Sequence, residues 1–143
     1  MIYADTSALL KTILSEPGSD LMREVVGRGD YLVSASVTVV ELYAALARAG
    51  LGARLPTEGL RRAVIAARRL ADLMTLIPVD PLVDRAATLA VEHRLRSFDA
   101  VQLAALSSLP ASDDLTFACW DLRLRAAAKR LGFRLLPPSV EGE

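Results

Sequence analysis

The stretch Ile2-Tyr3-Ala4-Asp5-Thr6-Ser7-Ala8-Leu9-Leu10 sets a short apolar run against three consecutive residue types that cap helices, and then begins an apolar pattern at helical spacing. It reads as strand, turn and helix, with an acid where the strand ends. The same succession repeats along the chain. Pro17-Gly18-Ser19-Asp20 starts a helix running to Gly27 or Gly29, and Tyr31-Leu32-Val33 is a second buried strand. Ser34 or Ser36 is expected to cap a helix from Val37 to Arg48 that stops at Gly50. A helix from Pro56 to Leu73 leads into a third strand, Thr75-Leu76-Ile77, and Asp80-Pro81 restarts a helix that reaches Arg94, with proline in its first turn. Asp99 to Leu106 is a helix opening on an acid, closed by the loop from Pro110 to Asp114. Leu115 to Ala118 is a fourth strand, Asp121 opens a helix reaching Gly132, and Phe133 to Leu136 is the last strand.

Short apolar strands alternating with longer amphipathic helices predict an α/β domain, a three-layer α/β/α sandwich around a central, mostly parallel five-stranded sheet. At 143 residues the chain suits one core, so residues 1–137 are expected to form a single domain and 138–143 a short polar tail. Residues are 52% hydrophobic and mean hydropathy is +0.33, more apolar surface than one small core absorbs, which predicts an interface with a partner. No window approaches the roughly 20 apolar residues a bilayer requires, so no membrane span is expected. The start Met1-Ile2-Tyr3-Ala4-Asp5 lacks the pattern of an export signal, and the single cysteine, Cys119, has no internal partner; both favour the cytoplasm. Seventeen basic residues balance seventeen acidic ones, so evidence for nucleic-acid binding has to be local.

In parallel sheets, ligands gather beyond the carboxyl ends of the strands, near the point where strand order reverses. Asp5 follows the first strand and Asp121 the fourth, which places both at that rim. Glu41 shares a stripe with Val37, Ala44 and Ala45, the stripe expected to face the sheet, and Asp99 begins a helix whose packing face continues through Ala100, Leu103 and Ala104. Each acid alone has an ordinary explanation. Asp5, Asp99 and Asp121 suit helix caps, and Glu41 suits a half-buried partner of an arginine such as Arg48. Together, four carboxylates at one rim repel one another unless a cation neutralises them, and an oxygen-only set favours Mg²⁺ or Mn²⁺.

Other residues read as structural. Asp113 and Asp114 precede the fourth strand and lie at the opposite rim, while Asp80 looks like the cap for Pro81. His93, the only histidine, sits late in a helix, where it suits the dipole rather than catalysis. Cys119 has no plausible base, and Gly27-Arg28-Gly29-Asp30 lacks both the dinucleotide pattern and a phosphate-loop lysine.

Four segments, MIYADTSALL (1–10), VSASVTVVELYAAL (33–46), RSFDAVQLAAL (96–106) and LTFACWDLRLRAAAKRLGF (115–133), together resemble the PIN-domain family, and in particular the toxin nucleases of VapBC-type toxin–antitoxin pairs. The resemblance covers nearly the whole chain. It implies a PIN-like sandwich, Mg²⁺- or Mn²⁺-dependent endonucleolytic cleavage of RNA, a homodimer, and inhibition by a small antitoxin encoded beside the toxin. It also implies that Asp5, Glu41, Asp99 and Asp121 form the acidic metal site, with Thr6 or Ser7 orienting ligands or phosphate. Many relatives carry Ser or Thr where this chain has Cys119, so no hydroxyl contact is expected there. Metal chemistry of this kind activates a water for in-line attack at phosphorus, with Asp5 and Asp99 as the first direct ligands and Glu41 and Asp121 completing the set or accepting the proton. Arg96 and the helix carrying Arg61, Arg62, Arg68 and Arg69 are candidates for phosphate contacts, although a solvated face explains that helix as well. A non-catalytic PIN-like scaffold or dimerisation module is the alternative. A receiver-type signalling domain would need adjacent acids after its first strand, and a dehalogenase-like phosphatase a second aspartate where Ser7 stands.

Overall fold

A computed structural model describes residues 1–52 and 55–142. Five strands, β1 (Ile2–Ala4), β2 (Leu32–Ala35), β3 (Thr75–Ile77), β4 (Thr116–Ala118) and β5 (Arg134–Leu136), pair in the order β3-β2-β1-β4-β5. Every pairing is parallel, so the sheet is wholly rather than mostly parallel. The helices are α1 (Thr6–Ile13), α2 (Ser19–Gly27), α3 (Thr38–Leu51), α4 (Thr57–Leu73), α5 (Val83–His93), α6 (Ser97–Ser107) and α7 (Leu122–Arg130).

Strand residues alternate between two buried faces, as parallel strands covered on both sides must. Tyr3, Val33 and Phe117 face α5, α6 and α7, where they join Leu89, Leu103, Leu106, Leu124 and Ala128. Ile2, Ala4, Leu32 and Ala118 face the other way, toward Leu9 of α1, Met22 and Val25 of α2, Leu42 of α3 and Leu70 of α4. The result is the expected three-layer sandwich. Because β1 is flanked by β2 on one side and β4 on the other, strand order reverses there, and the crevice above the carboxyl ends of β1 and β4 is where the topology invites a ligand.

Several local expectations are corrected. Neither Ser34 nor Ser36 caps α3. Ser34 lies inside β2, its hydroxyl bonded to the Ala4 carbonyl, and the residue before α3 is Val37, with no side-chain cap. Asp80 does not cap a helix at Pro81; it begins a single 3₁₀ turn, Asp80–Leu82, that leads into α5. Helix α6 begins at Ser97, two residues before the expected start, which moves Asp99 from a capping position into the first turn. Just past β5, the guanidinium of the fully buried Arg125 donates to the carbonyls of Cys119 (2.9 Å) and Pro138 (3.4 Å).

Candidate active site

One cleft of about 290 Å³ is lined by Asp5, Thr6, Ser7, Leu10, Val40, Glu41, Ala44, Ala45, Arg48, Phe98, Asp99 and Asp121. All four acids singled out from the sequence therefore meet on one concavity, delivered by four different elements at the strand-order reversal. Arg96 is exposed beside it, close enough that its charge favours the Asp99 carboxylate. The arginines of α4 are not among the residues lining this cleft. All four are exposed. Arg62 and Arg69 instead line a larger groove, about 550 Å³, with Ile13, Val26, Ile65 and Leu73.

Asp5 ends β1 and caps α1. Its Oδ1 accepts from the Ala8 amide at 3.0 Å and from the Ser7 hydroxyl at 2.7 Å, so the ordinary capping role and a place in the cleft coexist. Only 5% exposed, the carboxyl is pushed up from its ordinary 3.8 to about 6 by loss of solvent, against which the Ser7 and Ala8 donors act. Asp121 likewise caps α7, accepting at Oδ1 from the Arg123 and Leu124 amides at 2.9 and 3.0 Å. Asp99 is raised too, first by burial and then by the charges of Asp121 and Glu41, with Arg96 pulling the other way. The mutual repulsion inferred from the sequence is thus present between three of the acids.

Glu41 is held from two sides: its Oε2 accepts from Thr6 Oγ1 at 2.7 Å and from Gln102 Nε2 at 2.8 Å. Among the described residues it has no ion pair with Arg48, the partner its position suggested. The stripe also turns out differently. Thr38, Leu42 and Leu46 form the buried face of α3, and the half-buried stripe of Val37, Glu41, Ala44 and Ala45 lies one residue round the helix, where Glu41, Ala44 and Ala45 wall the cleft. Thr6 is committed to Glu41, and Ser7 ties the two acid-bearing turns together by donating to Asp5 and accepting the Trp120 amide at 2.7 Å.

Sequence reasoning missed the polar layer beneath the acids. Gln102, buried on α6, receives the Tyr3 hydroxyl at Oε1 (2.7 Å) and donates to Thr38 Oγ1 (2.7 Å) as well as to Glu41. Burial next to Asp5 holds the Tyr3 phenol well above 10, so it stays a donor. One signal was available: Gln102 is the only polar residue in the apolar run Ala100 to Leu106. Cys119 is fully buried, its thiol raised well above 9 by loss of solvent, in keeping with a structural reading. His93 ends α5 beside Arg130, away from the cleft.

The donor set fits a hard divalent ion in kind: four carboxylates and no nitrogen or sulfur ligand line the cleft, and burial raises two of the carboxyls, one of them further through its acidic neighbours. Among the described residues, no group of three or more His, Cys, Asp or Glu side chains stands close enough together to hold a metal ion without rearrangement. An ion taken up there would have to draw the carboxylates together or keep part of its own water.

Residues 2–108 match the PIN domain family, a span that takes in Asp5, Glu41 and Asp99. Ribonuclease VapC46 of Mycobacterium tuberculosis is 34% identical over 139 residues, covering 96% of this chain and 98% of that protein. Ribonuclease VapC47 of the same species is 33% identical over 146 residues, 98% of each. Among solved structures, PAE2754 from Pyrobaculum aerophilum superposes with a TM-score of 0.66 at 22% identity, over 94% of this chain and 82% of that one. FitAcB from Neisseria gonorrhoeae gives 0.61 at 22% identity, over 96% and 98%. At that identity the two structures speak for the fold alone.

Proposed function

The chain belongs to the PIN-domain family, among its VapC-type members, and on that premise we propose that it is a Mg²⁺-dependent endoribonuclease, the toxin of a toxin–antitoxin pair. The observation that carries the reading is the meeting of Asp5, Glu41, Asp99 and Asp121 in one cleft at the strand-order reversal, with Asp5 raised to about 6 by its burial.

Those four carboxylates would hold Mg²⁺, or Mn²⁺ in its place, with Asp5 and Asp99 as the first ligands. When bound, the ion supplies the positive charge that draws in a phosphodiester oxygen and makes a water acidic enough to attack phosphorus. The chain's own groups do the rest. Ser7 and the Ala8 amide hold Asp5 at the end of β1; Thr6 and Gln102 hold Glu41; the α7 amides hold Asp121. Either Glu41 or Asp121 would accept the proton of the attacking water. Arg48 on the wall and Arg96 beside Asp99 offer guanidinium groups to flanking phosphates. Phe98, 48% exposed on the same wall, offers a face on which an unpaired base can stack, which favours single-stranded RNA.

The partner in this reading is a small antitoxin, with self-association into a homodimer. The apolar surplus of the composition supports it, because much of it stays outside: Leu51, Leu73 and Val91 are 89, 72 and 81% exposed. No described helix is long and apolar enough to cross a membrane, and a cytoplasmic setting is part of the same proposal.

The decisive experiment is cleavage of a mixed, structured RNA pool by the purified protein with Mg²⁺, with EDTA and as the Asp5→Asn variant. Cutting that needs Mg²⁺ and vanishes in both controls is the expected result. The open geometry and the capping bonds of Asp5 and Asp121 favour one other reading, a scaffold in which the acids only terminate helices. A folded, antitoxin-free protein that cuts nothing and binds no Mn²⁺ would establish that instead.

A further inference from the structure

Beneath the cleft, every polar proton in the layer around Gln102 has one available destination. A carboxylate offers only acceptors, so the Gln102 amide nitrogen must face Glu41, which it reaches at 2.8 Å. Its oxygen then faces Tyr3, whose hydroxyl must donate, at 2.7 Å. The second amide proton goes to Thr38 Oγ1 at 2.7 Å. Ser34 spends its proton on the Ala4 carbonyl at 2.6 Å, so in its 2.7 Å contact with Thr38 it can only accept, and the Thr38 proton is spent as well. A flipped amide would turn lone pairs toward Glu41 and toward a Thr38 oxygen with no proton left to give. Gln102 is 2% exposed, leaving no water to rescue either mismatch. The chain of bonds runs from the residue before Asp5 to Glu41, across β1, β2, α6 and α3.

We infer that Gln102, locked in one amide orientation by Tyr3 and Thr38, is a positioning residue for Glu41, fixing which carboxylate oxygen is available to a cation. Two donors occupy Oε2, from Thr6 and Gln102, and among the described residues Oε1 takes no hydrogen bond. The inference rests on the metallonuclease reading and extends it to residues that touch neither metal nor RNA. The apolar layer supplies a rigid seat: Tyr3 packs on Phe117 with ring centroids 5.7 Å apart, and Ala100, Leu103 and Ala104 lock the turn of α6 that carries Gln102.

The test is Mn²⁺ titration, followed by the electron paramagnetic resonance of free Mn²⁺, of the full-length wild type and of Gln102→Met, Tyr3→Phe and the double variant, with thermal melting of each. Gln102→Met should weaken Mn²⁺ binding about ten- to hundredfold, the usual weight of a group that orients a ligand. Tyr3→Phe removes one oxygen and should cost about three- to tenfold, the weight of one neutral hydrogen bond. In the double variant the Tyr3 loss should vanish, because it acts only through Gln102. A Leu106→Val control, which trims the same helix without touching the layer, should lower the melting temperature and leave Mn²⁺ affinity alone. If the wild type binds Mn²⁺ and Gln102→Met binds it equally well, or the two losses simply add, the inference is overturned and the metallonuclease reading survives. If the wild type binds no Mn²⁺, that reading falls first and takes the inference with it. Should Gln102→Met fail to fold, Tyr3→Phe carries the comparison: affinity equal to the wild type overturns the inference.

Discussion

Asp5 combines three roles that pull against one another. It ends a strand, caps a helix and sits in a cleft with two other acids whose charges raise Asp99. Its carboxyl is raised from 3.8 to about 6, so as pH falls the folded state takes up the proton before the unfolded chain does. Stability of the metal-free protein should therefore rise as pH drops from about 6 toward 3.8 and be lowest above 6. The gap corresponds to roughly 3 kcal/mol at neutral pH. Asn caps a helix as well as Asp and carries no charge to bury, so Asp5→Asn should stabilise the metal-free protein at pH 7.5 by about 1–3 kcal/mol. It should also abolish this rise below pH 6. Urea unfolding at pH 5 and 7.5 measures both effects, and a variant less stable than the wild type at pH 7.5 would contradict this account. Phe98, half-exposed on the cleft wall, is the aromatic residue proposed to meet the substrate. Phe98→Ala should weaken binding of single-stranded RNA by about 1–3 kcal/mol while leaving the melting temperature nearly unchanged. An unaltered KM would remove it from the substrate face.

At the level of elements, the cleft depends on two turns held in register, β1 to α1 and β4 to α7. Ser7 joins them through Asp5 and the Trp120 amide. Trp120 is itself wedged: Lys11 lies over its ring at 5.0 Å and is paired with Glu16 at 3.1 Å, and Gly18 abuts the ring near its Nε1. Gly18 is in the left-handed region at φ 91°, and a Cβ there would stand 2.7 Å from the Trp120 ring. Backbone and space thus both demand glycine. Gly18→Ala should cost about 2–4 kcal/mol, the sum of left-handed strain and overpacking. Because Trp120 precedes Asp121, cleavage should fall as well. The falling melting temperature and the falling kcat would then track a shifted indole, visible as a change in tryptophan fluorescence; stable protein with unchanged emission would refute the wedge.

For the molecule as a whole, the proposed metal site would set a cation and a proton in competition for the same buried carboxyl. Mg²⁺ should raise the melting temperature at pH 7.5, the increment should shrink at pH 5 where Asp5 holds a proton, and it should disappear in Asp5→Asn. Equal increments at both pH values would show that Asp5 is not a ligand. The formal net charge is zero, so RNA binding should rest on a few arginines and depend only modestly on salt. Arg48→Ala should reduce the slope of log affinity against log salt by about 1, where a variant of the α4 arginines Arg68 and Arg69, outside the cleft, should not.

The alternation of strands and helices was legible from the chain alone, because apolar period, turn residues and proline act over a few neighbours. The parallel sheet followed from that alternation, and so did the rim to which Asp5 and Asp121 belong. Asp99 and Glu41 could be named as acids of the same rim, and the resemblance to PIN-domain proteins rested on the same four segments. What no local pattern could supply was rotation and contact. Tertiary packing decided that α3 buries Thr38, Leu42 and Leu46 and turns Glu41 toward the cleft. It also set the α4 arginines outside the cleft and gave Glu41 the partners Thr6 and Gln102 rather than Arg48. Gln102 and Tyr3 are 99 residues apart in the chain, and Gln102 and Glu41 are 61. A hydrogen bond across such a separation exists only once the sheet and both helical layers have assembled, which is why the acids could be read from the sequence and their supporting layer could not.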